Sequence, residues 1–326
     1  MDIETVFNII VYVLVFMFGI TIGSFLNVCI LRLPRGESLI TNNSHCMSCG
    51  TEIKRYDLIP VFSWLILRGK CRACGAPISP RYMIVEAFTG ICFMLCYAVF
   101  PYEQYGLYFA MLSLFICGII VLALQDFDTQ TMCVSVLIYC IIEAAATVGM
   151  TFINGSDGLS LVRMPVDLKS CLLGAVSVSG TLLIIGFALT PLVYVLFLSQ
   201  DHKDLRRLKR ALKTENNERE RGKLTVKIEK TKEKIKEEGP VFGFGMGDIL
   251  MMAAGGLMLG FGATLVSAVI AVIAGAVYGL VKKATEDPDD DNSNAFAFGP
   301  FLAVGLLVSA YCGNYLAAAY TAYMFG

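Results

Sequence analysis

Charge is what this sequence lacks most. Only 16% of its 326 residues are charged and 56% are hydrophobic, against about 25% and roughly 45–50% in an ordinary soluble protein. A soluble globule of this length would need a more charged surface. Soluble enzymes are excluded on that ground, as are disordered chains and secreted disulfide scaffolds. Charge is also missing over long stretches: Val6 to Leu31, Gln104 to Gln125, Ser170 to Gln200, Ile249 to Val281 and Asn292 to Gly326 carry none. A membrane crossing needs about 20 apolar residues, and these runs supply it several times over. They are continuously apolar and do not alternate, which speaks against a β-barrel. The first residues, Met1-Asp2-Ile3-Glu4, lack the basic start of a signal peptide. No repeat of fixed period is present.

What charge there is sits unevenly. Arg32 to Tyr82 holds eight Lys/Arg and Asp201 to Pro240 fourteen more, together 22 of the 26 in the chain. The positive-inside rule puts both segments in the cytoplasm. Threading from an outside N-terminus gives an all-α polytopic membrane protein of about eight transmembrane helices, with a small cytoplasmic domain between helices 1 and 2. The expected divisions are a first helix at 1–31, the cytoplasmic domain at 32–82 and helices 2–5 at 83–200. A charged cytoplasmic insert at 201–240 and helices 6–8 at 241–326 complete the chain. Ile249–Val281 as a single helix would be about 50 Å long, too long for one crossing, so a break is expected at Gly260-Phe261-Gly262. In the insert, Leu205, Leu208 and Leu212 recur at helical spacing and predict a short amphipathic helix. Its basic side could meet anionic headgroups, but a solvated charged connection is the preferred reading.

Four of the twelve cysteines stand apart. Cys46-Met-Ser-Cys49-Gly50 and Cys71-Arg-Ala-Cys74-Gly75 are two C-x2-C pairs whose thiolates can converge on one tetrahedral ion, most often zinc. Each second cysteine precedes a glycine, which allows the positive φ of a tight knuckle. A redox dithiol and a pair of disulfides are the alternatives, and both suit a reducing cytoplasm poorly. Four thiolates leave no open coordination position, so the zinc would be structural. The other eight cysteines lie in or beside apolar runs and read as small packing residues.

Two aspartates stand at the ends of apolar runs. Asp126 ends the stretch Leu122-Ala-Leu-Gln-Asp126, and Asp248 begins one in Gly245-Met-Gly247-Asp248. Opposite helix directions put both at one membrane face, where an ionisable residue is a functional-site hypothesis by default. Paired carboxylates at low dielectric share a proton and can act as acid and base. Helix capping explains Asp248 equally well, an interfacial span end explains Asp126, and Asp128 is a competing partner.

Together these stretches resemble the prepilin peptidase family, the type IV leader peptidases and N-methyltransferases. Gly23-Ser-Phe-Leu-Asn27-Val-Cys-Ile-Leu-Arg32-Leu-Pro34 is similar to the family's GSFLNVVIxRLP, and the double C-x2-C follows. Ile78-Ser-Pro-Arg81-Tyr82-Met-Ile-Val-Glu86 is similar to its ISxRYPxVE block, and Gly245–Asp248 to its GxGD tetrad. The resemblance runs in order from residue 23 to about 260. It implies a GxGD-type aspartyl endopeptidase of the bacterial inner membrane, multi-pass, with its catalytic face in the cytoplasm. Such an enzyme removes the basic leader of a type IV prepilin or pseudopilin after a glycine. Many members then methylate the new N-terminus from S-adenosylmethionine. On this resemblance Asp126 and Asp248 are the catalytic pair, Cys46, Cys49, Cys71 and Cys74 the zinc ligands, and Gly69 a residue linked to methyl transfer. The implied partners are prepilins and membrane lipid, with no nucleic acid. Three departures stand out: Met132-Cys133-Val134 replaces a usual proline-aspartate pair, the 201–240 insert is long, and Lys282–Asp291 is unusually charged. The other readings are a peptidase without methyl transfer, an ion-coupled membrane transporter and a membrane thiol oxidoreductase. Inverted repeats expected of a transporter are not found.

Overall fold

The computed structural model describes residues 2–40, 43–153, 162–214, 221–229, 245–285 and 297–325. Most of these residues are helical, and among them pairing between extended segments is limited to three isolated bridges. In chain order the helices are α1 (Ile3–Arg32), α2 (Phe62–Ile66), α3 (Arg81–Val99), α4 (Tyr102–Tyr105), α5 (Tyr108–Thr129), α6 (Val134–Ile153) and α7 (Leu168–Thr214). They continue with α8 (221–229), α9 (Met246–Leu259), α10 (Phe261–Thr285) and α11 (Gly299–Phe325). Seven of them are long and apolar enough to cross a membrane. The eighth expected span is α9, whose 14 residues make about 21 Å of helix, short of the roughly 30 Å hydrocarbon core.

The expected break falls where it was placed. Gly260 takes φ +82, a left-handed conformation that closes α9 at little cost only in glycine. The Phe261 N–H, an orphan donor at the start of α10, is taken by the Ser170 hydroxyl at 3.0 Å. The linker expected around Lys282–Asp291 falls largely outside the described residues, as do 215–220 and 230–240 of the insert and the stretch 241–244 with Gly243.

The chain divides into two units, Met1–Val178 with Leu250–Gly326, and Ser179–Ile249. In the first, α5 is the central helix. It touches α1, α3, α6 and α11, and it is the most buried of the spans. Its sequence suits that place: Leu112, Phe115, Ile116, Ile119, Ile120 and Leu122 are all buried around the helix and not on one face. Small residues let backbones meet. Gly19 lies against Gly90 and Gly23 against the Glu86 α-carbon, where an added Cβ would come to 2.7 Å in both cases. These contacts seat α1 on α3 in the manner of small-residue membrane interfaces. Gly256 similarly abuts the Gly174–Ala175 backbone, which locks α9 to the start of α7. Tyrosine hydroxyls tie the rest, Tyr108 to the Met258 carbonyl at 3.3 Å and Tyr311 to the Cys92 carbonyl at 3.1 Å.

In the second unit, α7 does not stop at residue 200. It runs unbroken through the first part of the charged insert to Thr214. The amphipathic segment read from Leu205, Leu208 and Leu212 is therefore helical, but as a continuation of the fifth span and not as a separate helix. Leu205 on α7 and Ile228 on α8 are buried.

Candidate active site and metal centre

Between α1 and α3 the chain makes two matching knuckles. In the first, the Cys46 N–H donates to the Thr51 carbonyl at 2.9 Å and the Gly50 N–H to the Cys46 carbonyl at 2.8 Å. In the second, Cys71 donates to Ala76 at 2.8 Å and Gly75 to Cys71 at 2.9 Å. Gly50 and Gly75 both take φ +71, the conformation their position in each motif predicts. The folded knuckles bring all four thiols together, every Sγ within 4.8 Å of the others. Cys46 and Cys74 stand 3.9 Å apart. Tetrahedral zinc with bonds of about 2.3 Å separates its sulfurs by roughly 3.8 Å, so the four residues fit that ion.

The electrostatics also suit a cation. Cys46 and Cys71 are held below the usual thiol range by N–H groups of their own knuckles, led by those of Cys49 and Cys74 respectively. Thr51 does the same for Cys49. Cys74 is different: the Ala76 N–H pulls it down, but the neighbouring Cys49, Cys71 and Cys46 sulfurs and desolvation push it up to about 11. A fourth thiolate crowded by three others is costly unless a metal shares the charge. Zinc bound here would cross-link the domain. The Arg72 guanidinium, paired in a fork with Asp57 at 2.6 and 2.8 Å, adds a second tie and holds the Asp57 carboxyl below the usual range.

Gly69 has no open side. Its φ is +66, and a Cβ would come within 2.8 Å of the Trp64 ring. Its N–H donates to the Trp64 carbonyl at 2.9 Å, and its carbonyl accepts from Ile78 at 2.7 Å. The residue shapes the turn into the second knuckle. Its backbone N–H and carbonyl are both engaged, so the link between this residue and methyl transfer rests on the resemblance.

Asp126 lies in the first unit, one turn from the end of α5, and is 8% exposed. It accepts a hydrogen bond at 3.0 Å from the N–H of Gly299, the first residue of α11. Pro300 carries no N–H, and Phe301 and Leu302 donate to the Phe298 carbonyl. The Gly299 donor is thus the one that the helix start turns toward the carboxylate, where the dipole also favours a negative charge. Gly299 must be glycine for this approach, since a Cβ would meet both the Asp126 carboxylate and the Met132 side chain. Gln125, fully buried beside Asp126, spans from the Cys29 carbonyl to the Cys133 N–H at 3.4 and 3.3 Å. It anchors the end of α5 to α1 and to the start of α6.

Asp128 is occupied differently. It forms a two-pronged ion pair with Arg81 at 2.6 and 2.9 Å, which clamps the end of α5 to the start of α3. Asp248 lies in the second unit, in the first turn of α9, and is 7% exposed. Its N–H donates to the Gly245 carbonyl at 3.0 Å, so the GxGD tetrad is the turn that starts the helix. Sequence reasoning passed over Gly299. The available signal was Phe298-Gly299-Pro300, a glycine and proline opening an apolar run.

A helical membrane protein with a tetracysteine domain after its first span and buried aspartates at two helix ends is the class that these features define. Residues 17–100, which include both knuckles, match the family model for the bacterial peptidase A24 N-terminal domain. Among curated relatives, a prepilin leader peptidase/N-methyltransferase of Myxococcus xanthus is 48% identical over 84 residues, 26% of this chain and 25% of the relative. One of Vibrio cholerae is 35% identical over 44% of this chain and 63% of its own length. One of Xanthomonas campestris is 25% identical over 93% of this chain and 91% of its own. The chain spans only a quarter to just under two thirds of the first relatives it matches. No solved structure matches it. The resemblance to the prepilin peptidase family read from the motifs is borne out by these matches.

Proposed function

We propose that the protein is a membrane aspartyl endopeptidase that removes the basic leader of type IV prepilins or pseudopilins. Cleavage follows a glycine, at the cytoplasmic face of a bacterial inner membrane. The observation that carries this reading is the treatment of Asp126: a carboxylate buried at the end of a span, with a backbone N–H from a distant helix aimed at it. Burial without a countercharge is costly, which makes an ionisable residue at a span end a functional-site candidate. The relatives' printed names supply the reaction class.

In the proposed reaction Asp126 and Asp248 form the pair. Two carboxylates sharing one proton can divide the work of hydrolysis. The ionised one takes a proton from water as it attacks the peptide carbonyl, while the protonated one donates to the carbonyl oxygen. As the C–N bond breaks, the first passes the proton it took to the leaving amine and the second recovers one from the gem-diol hydroxyl. The tetracysteine domain holds structural zinc and stays outside this step. Methylation of the freed amine from S-adenosylmethionine follows as a second activity in this reading.

The test is leader removal from a type IV prepilin by the detergent-purified protein, read by intact mass. Asp126→Ala and Asp248→Ala should each abolish it, while Asp128→Asn should retain it. Cleavage surviving in Asp126→Ala would rule out this pair. A mass gain of one methylene that requires S-adenosylmethionine would establish the second activity.

A further inference from the structure

The tetracysteine domain leaves a set of apolar side chains uncovered. On α2, Phe62, Leu65 and Ile66 recur at i, i+3 and i+4, which places them on one helix face. They are 44%, 54% and 76% exposed, and Leu58 and Ile59 just before them are 42% and 49% exposed. Five large apolar residues in nine positions are a patch that a water-facing domain would ordinarily cover.

Their height is set by one hydrogen bond. The Val61 N–H, at the start of α2, donates to the Glu86 carboxylate at 2.7 Å. Val61 takes φ +62, a conformation that is rare and strained in a β-branched residue, and this bond helps hold it there. Glu86 also meets the Ser24 side chain of α1, and its α-carbon packs on Gly23. Gly23 lies nine residues, about 13 Å along the helix, before the end of α1 at Arg32. The start of α2 is therefore drawn back beside the spans. The outer faces of α1 and α3 also carry exposed apolar side chains, at Phe25, Ile84 and Phe88. Arg55, Arg68 and Lys70, all exposed, flank the apolar set in sequence. An apolar face bordered by cations is the pattern of a helix lying in an anionic membrane surface.

We propose that Phe62, Leu65 and Ile66 dip into the anionic leaflet at this end of the spans, so that lipid anchors the tetracysteine domain. The proposal rests on the spans crossing a bilayer and does not depend on the peptidase reading.

Trp64 is the chain's only tryptophan and sits in α2, so it reports on this segment directly. The full chain would be placed in nanodiscs of phosphatidylcholine with phosphatidylglycerol, with and without bromine near the headgroup end of the acyl chains. Bromine should lower Trp64 emission in the wild type, and less so in nanodiscs of phosphatidylcholine alone. Leu65→Glu with Ile66→Glu should restore most of the emission. Ile66→Glu alone, at the most exposed of the three positions, should restore part of it. Four bound thiols per zinc in each variant would show that the domain stays folded. Emission that bromine leaves unchanged but aqueous iodide quenches would overturn the proposal. So would protection from both quenchers, which would mean that protein covers the patch, either a second copy or a bound substrate. Bromine quenching that persists undiminished in the double variant would overturn it as well.

Discussion

At the scale of single residues, the decisive groups are defined by what touches them. Asp126 and Asp128 are two positions apart on one helix, yet one accepts a lone backbone N–H and the other is held in an arginine fork. A half-exposed ion pair of that kind contributes little to stability, so Asp128→Asn should leave both folding and leader removal close to wild type. Gly299→Ala is the sharper change. Its methyl would displace the Asp126 carboxylate or the Met132 side chain. Misplacing a reacting group by about 1 Å can cost on the order of 100-fold in rate. Leader removal should fall by about that factor, and removing the second obstacle with Met132→Ala should not restore it. Full activity in Gly299→Ala would show that the contact is dispensable.

At the scale of elements, glycines decide which helices can meet. Gly256 faces the backbone of Gly174 and Ala175 so closely that no side chain fits. Overpacking of this kind costs roughly 1–3 kcal/mol. Gly256→Val should lower the midpoint of thermal unfolding in detergent, whereas Gly279→Ala, which faces open space on α10, should not. The break at Gly260 and the length of the fifth helix show how far element boundaries were legible. A positive-φ glycine between two apolar runs too long for one span was readable, because glycine is the residue that tolerates that conformation. The run of α7 past residue 200 was not. Charge marks where a helix leaves the membrane, but nothing in Asp201–Lys209 stops the helix itself, since none of these residues is glycine or proline.

At the scale of the whole molecule, the small domain between α1 and α3 is organised around its four clustered thiols, and the zinc they fit would be its staple. Few of its side chains are buried, and a domain that small has too little core to stand without a staple. Chelation, or Cys46→Ser, should loosen residues 43–78 in hydrogen exchange while the spans stay protected. The pH dependence has a definite sign. Zinc needs thiolates, so affinity should fall as pH falls and protons compete for sulfur. The thiols of Cys46, Cys49 and Cys71 are already lowered, which moves that competition to more acid pH. Zinc release followed with a chromogenic chelator across a pH series would check it.

Composition and spacing alone determined that this is a helical membrane protein and which four cysteines form a cluster, and they singled out the two aspartates. Those are local properties: a run is apolar or it is not, and a C-x2-C knuckle closes within six residues. Only the tertiary structure made α5 the central helix, gave Asp128 to Arg81, closed the space around Gly69 and brought Gly299 to Asp126. The Asp128–Arg81 and Gly299–Asp126 contacts join residues 47 and 173 positions apart. No helical or knuckle period links such positions, so which helix packs on which had to be settled first, by the few glycines that let two backbones touch.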